Sequence, residues 1–272
     1  MKRWLAALAL ACGLISAPHA EPAVEGSAPA PAAQLGVVVL HGKWDNPQGH
    51  IVGLVRQLKA AGFKVAVPEM AWSLRRGYDT DLAGVERDID AAIDGLRKAG
   101  AQRIVLAGHS LGSAGAVRYA GRHVVDGLVV LAPGHFPEGK SFREKTGESL
   151  ARAQALIAAG KGDEVDSFVD PNTGGRLKRL ALPARIYAEF MDPEGPMNYA
   201  NNSAAVKPGI PVLWIAGAGE DEGPKRSGYA AYQRLPEAPP PRYLEISGVH
   251  LDIPDAAAGV VIEWLRETFG AN

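Results

Sequence analysis

The sequence predicts an α/β protein built on a mostly parallel, doubly wound sheet with a helical insertion. Three observations carry that prediction. Continuous apolar runs of strand length recur, as expected for strands covered on both faces. They alternate with segments of helical period in the order strand, helix, strand, helix, strand, which is the rhythm of right-handed parallel crossovers. Between one such run and one such helix stands the pentapeptide Gly108-His109-Ser110-Leu111-Gly112.

The chain has 272 residues, 47% hydrophobic and 22% charged, ordinary values for one enzyme-sized globular domain. Lys2 and Arg3 precede an apolar run from Trp4 to Ile15 that is too short to span a bilayer as a helix. Ala17-Pro18-His19-Ala20 follows with small residues suited to cleavage, so residues 1–20 read as a signal peptide cut after Ala20, and the protein as exported to a periplasm or secreted. Ala9-Leu10-Ala11-Cys12 lacks the leucine that opens a bacterial lipoprotein box, and lipid anchoring is not expected. Cys12 is the only cysteine, so the cleaved chain has no disulfide, thiolate nucleophile or cysteine-ligated zinc.

Residues 21–34 are Pro- and Ala-rich without apolar period, a flexible leader ahead of a folded domain at 35–272. Leu35 to Leu40 is an apolar strand running into His41-Gly42-Lys43-Trp44. A helix from about His50 to Ala61 carries Ile51, Leu54, Val55 and Leu58 on one face and stops at Gly62. A short strand, Lys64 to Val67, is followed by a loop with Trp72, Arg75 and Arg76. A second helix, capped near Thr80, spaces Leu82, Val85, Ile89, Ile93 and Leu96 at threes and fours. Arg103 to Ala107 is the strand before the pentapeptide, Ser113 to Ala120 belongs to the helix after it, and about Gly127 to Leu131 is a further strand.

From 133 to 210 the rhythm breaks, and no sheet strand is predicted across this insertion. Leu150, Ala153, Leu156 and Ile157 mark a helix ending at Gly160, and Pro196 to Ala205 holds another. The sheet resumes at Pro211 to Ala216. A helix over about Lys225 to Arg234, a strand at Arg242 to Ile246 and a helix from Ala256 to Phe269 complete the chain.

The net charge of -1 provides no basic field to attract nucleic acid or an anionic membrane. No H-E-x-x-H zinc motif and no glycine-rich phosphate loop occurs, so neither metal nor nucleotide cofactor is expected. What the sequence offers is a serine on a tight strand-to-helix turn, where the backbone is strained and the flanking glycines permit close packing. A serine hydroxyl attacks at neutral pH only if a histidine takes its proton, and the histidine needs a carboxylate partner. His250 follows the last strand at the same sheet edge and is the expected base. His123, at the far end of the helix after the serine, reads as a surface or capping residue; His135 follows a strand and could line the pocket.

The carboxylate should follow the preceding strand, where Glu220, Asp221 and Glu222 compete. Asp221 is favoured for its short side chain just beyond the turn, and Asp192 in the insertion ranks lower. For the oxyanion, one donor is expected from the Leu111 amide at the helix start and the other from Lys43 or Trp44. Trp44, Trp72, Phe136 and Tyr199 are aromatic candidates for an acyl pocket, although ordinary packing is the commoner role for each.

Ser110, Asp221 and His250 in that order, with His41-Gly42 and the Gly108–Gly112 motif, resemble the α/β-hydrolase superfamily over about Leu35 to Phe269. The resemblance implies an eight-strand-type, mostly parallel sheet, an active site at the carboxyl ends of the strands, and a lid after the sixth strand, where the insertion falls. It also implies a serine esterase or lipase-like enzyme acting on a small-molecule acyl substrate through an acyl-enzyme. An acyltransferase on the same residues is the alternative enzyme, and a non-catalytic binding protein with this fold the alternative of another class.

Overall fold

The computed structural model describes residues 32–270; the signal-peptide reading and most of the leader lie outside them. Strands β1 (Leu35–Leu40), β2 (Lys64–Ala66), β3 (Arg103–Ser110), β4 (Gly127–Pro133), β7 (Val212–Gly217) and β8 (Arg242–Ile246) form one sheet in the order β2-β1-β3-β4-β7-β8. Every pairing within it is parallel. The eight-strand expectation is corrected here, because the described residues supply six strands to this sheet.

Alternation along the strands explains the continuous apolar runs. Val38, Leu40, Ile104, Leu106, Leu128, Val130 and Trp214 pack on one face, with α2 (Leu82–Lys98) and α3 (Leu111–Arg122). Val37, Val39, Val105, Ala107, Val129, Leu131, Leu213 and Ile215 pack on the other, with α1 (Val52–Ala60), α8 (Ile253–Ala256) and α9 (Ala258–Phe269). With both faces covered, no position in these strands needs to be polar. The cap of α2 is Asp81, one residue beyond the expected Thr80; its side chain accepts from the Gly84 N–H at 2.9 Å.

The direction of winding reverses at β1. The chain leaves β1 for β2 on one side and returns to β3 on the other, so the loops after β1 and β3 diverge over a crevice. A switch point of this kind is where open parallel sheets form sites. His41-Gly42-Lys43-Trp44 and Ser110 flank it.

The insertion follows β4, the fourth strand among the described residues, which corrects the expected place after a sixth strand. It contains α4 (Lys140–Ala158), β5 (Val165–Pro171), β6 (Leu177–Pro183), α5 (Ala184–Met191) and α6 (Tyr199–Ala205). The two strands form their own antiparallel sheet, so the expectation of a purely helical insertion is corrected. The reason lies in their surroundings. Only one face of the hairpin is covered, chiefly through Phe168 and Leu182, so its strands carry too few apolar residues to stand out in sequence. Gly174 and Gly175, at φ 69° and 73°, make the left-handed turn between them. No helix among the described residues is long and apolar enough to cross a membrane.

Candidate active site

Ser110 ends β3 and caps α3 with φ 54° and ψ −122°, a conformation rare outside glycine and a form of strain that clusters at functional sites. The neighbouring glycines are required by contact. A Cβ on Gly108 would lie 2.3 Å from the Gly112 carbonyl oxygen, and one on Gly112 would lie 2.2 Å from that of Leu40. The turn thus folds tightly against β1 and holds the serine at the mouth of the crevice.

His250 lies in the loop after β8. Its Nε2 is 2.9 Å from Ser110 Oγ and its Nδ1 is 2.6 Å from Glu220 Oε1. The carboxylate fixes the tautomer: Nδ1–H donates to Glu220, leaving Nε2 bare to accept the Ser110 hydroxyl proton. The Glu220 side chain is 3% exposed and that of His250 12%, so the chain of hydrogen bonds is largely withdrawn from water.

The choice of Asp221 over its neighbours is corrected by this geometry. Asp221 is the cap residue of α7 (Glu222–Tyr232), exposed, with its backbone carbonyl accepting from Lys225. Glu222 points outward, 4.0 Å from Lys225. The turn rolls the Glu220 side chain inward instead, where its longer stem reaches the imidazole. Asp192 accepts from Gln154 at 3.1 Å and belongs to the insertion's surface. His123 stacks on Tyr119 and pairs with Glu86 at 3.2 Å, outside the site.

His109 braces the histidine loop. Its Nε2 donates to the His250 carbonyl at 2.9 Å. Burial and the neighbouring His250 lower its pKa to about 3, so the ring is neutral. Beneath the nucleophile, Tyr199 donates to Ser113 Oγ at 2.9 Å, and Ser113 donates to the Ser110 carbonyl at 2.6 Å.

The loop after β1 is anchored at nearly every residue. The His41 ring accepts from the Met70 N–H at Nε2, which leaves Nδ1 protonated to donate to the Gly42 carbonyl at 2.8 Å. Burial lowers the pKa of this ring, consistent with a neutral imidazole. Trp72 Nε1 donates to the His41 carbonyl at 2.8 Å, and the Trp44 N–H donates to Trp72 O at 2.9 Å. That last bond distinguishes the two expected donors by geometry. The Trp44 amide is occupied, whereas among the described residues the Lys43 amide has no acceptor. The Leu111 amide, first in α3, has no intrahelical acceptor.

Two cavities meet at the nucleophile, sharing Lys43, Ser110, Asn172 and His250. The larger, about 620 Å³, is lined by Leu111, Pro133, His135, Phe136, Phe142 and Pro224 among others. The smaller, about 360 Å³, lies between the β1 loop and the hairpin and is lined by Trp44, His50, Leu74, Arg176 and Lys178 among others. Of the aromatic candidates, Phe136 and Trp44 line cavities, while Trp72 and Tyr199 are buried in the core. His135 stands in the wall of the larger cavity and donates from Nε2 to the Phe190 carbonyl at 2.7 Å. Burial, reinforced by nearby Lys43, holds its pKa well below the ordinary value.

Against known proteins, the model of the alpha/beta hydrolase family matches residues 37–263, and the chain belongs to that family. No curated protein matches it in sequence. Among solved structures it is similar to Est1E from Butyrivibrio proteoclasticus with ferulic acid bound (TM-score 0.63, 18% identity, 88% of this chain and 91% of that one). It is also similar to a monoacylglycerol lipase from Paleococcus ferrophilus (TM-score 0.62, 21% identity, 89% and 97% covered). A third likeness is to a thermostable carboxyl esterase from Bacillus coagulans in complex with glycerol (TM-score 0.59, 17% identity, 89% and 92% covered). At these identities the likeness is one of fold.

Proposed function

We propose that this protein is a serine hydrolase that cleaves a carboxylic ester through an acyl-enzyme on Ser110, with His250 as base and Glu220 as its partner. The observation that carries the proposal is the unbroken relay from Glu220 through His250 to Ser110, at 2.6 and 2.9 Å, opening onto a cavity of about 620 Å³. A cavity of that size suits a small organic ligand.

In this reading Ser110 Oγ forms a bond to the ester carbonyl carbon as its proton passes to His250 Nε2. The carbonyl electron pair moves onto oxygen, which the Leu111 and Lys43 amides receive. Collapse of that intermediate breaks the bond to the alkoxy oxygen, which leaves as the alcohol with the proton from His250. Water, activated by the same imidazole, then releases the acid and frees the serine. Glu220 stabilises the imidazolium formed in each half-reaction. The more apolar, larger cavity takes the acyl group and the smaller one the alcohol. The esterase and lipase names of the similar structures support an ester substrate, and the first twenty residues support export.

The test is labelling of the purified protein with a fluorophosphonate probe, beside Ser110→Ala, followed by esters of increasing acyl length. Labelling that needs Ser110, with turnover that rises and then falls with acyl length, is the expected result. A folded wild-type protein that neither labels nor hydrolyses any ester would overturn the proposal.

A further inference from the structure

At the end of β5 the carboxylate of Asp170 is fully buried, and three donors converge on it. Lys43 Nζ lies 2.5 Å from Oδ1, Trp44 Nε1 2.8 Å from Oδ2, and the Tyr78 hydroxyl 3.0 Å from Oδ2. The next carbonyl, Pro171 O, accepts from Lys43 Nζ at 2.8 Å. Two consecutive residues of the β1 loop are therefore tied by their side chains to one point on the insertion's hairpin, about 127 positions away in sequence.

A buried ion pair is weak grounds for stability, since taking both charges out of water offsets most of their attraction and an apolar pair would cover the loop as well. An apolar pair would not supply direction. Adjacent side chains aimed at the same carboxylate restrain the peptide between Lys43 and Trp44, and Trp44 is held at φ 60°, where few side chains sit unless constrained. The His41 ring on the Gly42 carbonyl restrains the Gly42–Lys43 peptide, which carries the Lys43 N–H, and the Trp72 carbonyl on the Trp44 amide restrains the Lys43–Trp44 peptide a second time. Of the two N–H groups on these peptides, that of Lys43 has no acceptor among the described residues.

We infer that Asp170 is a positioning residue for the oxyanion site: it holds the β1 loop so that the Lys43 amide meets the developing negative charge, making the β5–β6 hairpin a fixed strap. The inference rests on the ester-hydrolase reading, since only that reading gives the Lys43 amide an oxyanion to bind. It excludes a hairpin that must swing away during each turnover, because the loop would then lose its tie when the transition state forms.

The experiment compares the full-length wild type with Asp170→Asn. It measures kcat per fluorophosphonate-titrated site, KM, and the Ki of a boronic acid that forms a tetrahedral adduct with Ser110. An amide misplaced by a fraction of an ångström weakens the transition state and leaves ground-state binding alone. The expected result is a fall in kcat of about 10- to 100-fold, a KM within about threefold, and a boronate Ki that rises in step with the loss of kcat. Counting only titrated sites removes any effect of a smaller folded fraction. Wild-type kcat per site in Asp170→Asn, or a lower kcat with unchanged boronate affinity, would overturn the inference. Should Asp170→Asn fail to fold, Tyr78→Phe removes one donor from a buried residue that lines neither cavity. A two- to fivefold change of the same signature supports the inference, and unchanged kcat and Ki overturn it. An inert wild type would instead defeat the hydrolase reading itself, so the two failures are distinguishable.

Discussion

The two flanks of Ser110 are held by different means. On one side, the β1 loop is bound chiefly by side chains, beside the backbone bond from the Trp44 amide to Trp72 O: His41, Lys43, Trp44, Trp72 and Asp170 all contribute, and most are buried. On the other, the turn bearing Glu220 and the loop bearing His250 are laced together mainly by backbone, with the His109 ring on the His250 carbonyl as the side-chain brace. The Ala218 amide donates to Ile246 O at 2.8 Å and the Gly219 amide to Gly248 O at 3.0 Å. The difference matches what each flank does. In the proposed mechanism, the backbone amide that must stay still is pinned through the side chains around it, whereas the side chains that would pass a proton are set by the loops that carry them.

The largest effects are expected along the hydrogen-bonded series Glu220–His250–Ser110. Ser110→Ala and His250→Ala should each lower kcat by about 10⁴-fold or more while leaving the unfolding transition close to wild type, read by ester turnover and by denaturant unfolding. Glu220→Gln should cost nearly as much, about 10³- to 10⁴-fold, because the amide can present its NH₂ to Nδ1 and stabilise the wrong tautomer. Asp221→Asn, one residue away, should stay within about twofold. Equal losses from the two acid variants would return the choice of carboxylate to the open turn.

The side-chain-bound flank is probed through stability. Trp72→Phe removes the donor to the His41 carbonyl and leaves space beside Gly115, whose own Cβ position lies 2.8 Å from the indole. A loss of about 2–4 kcal/mol in chemical unfolding is expected, with kcat per active site falling as well. A loss confined to stability would show that the loop keeps its shape without this tie.

The most gradual effect is the pH dependence of stability. The folded pKa of His109 is depressed from 6.5 to about 3, so the unfolded chain takes up the proton first on acidification. This contribution is fully present above about pH 6.5 and is lost progressively as pH falls toward 3. His41 and His135 are shifted in the same direction and add to it. The unfolding midpoint should be level above about pH 7 and decline below it, and His109→Gln, which keeps a donor for the His250 carbonyl, should make that decline shallower.

Most of the scaffold was legible in the sequence because burial on both faces leaves its mark in local composition. Leu35 to Leu40 reads as a strand since no residue there meets water; the half-exposed edge strand Arg242–Ile246 also has the predicted bounds, although burial does not mark it. The insertion's hairpin was not, because a pair of strands with one covered face needs few apolar residues. The signal for Asp170 was present only as spacing: in Val165-Asp166-Ser167-Phe168-Val169-Asp170, period two puts Phe168 and Asp170 on the same face, an acid where an apolar residue was due.

By itself the sequence determined the parallel sheet, the serine on its turn and the histidine after the last strand, all features encoded within a few neighbouring residues. Tertiary structure alone decided that Glu220 rather than Asp221 meets His250, that the Lys43 amide rather than that of Trp44 stays open, and that Asp170 closes on both side chains. Neighbours in a turn differ by where the backbone aims them, and that aim is set by partners such as Gly248, Trp72 and the distant hairpin, which local sequence does not contain.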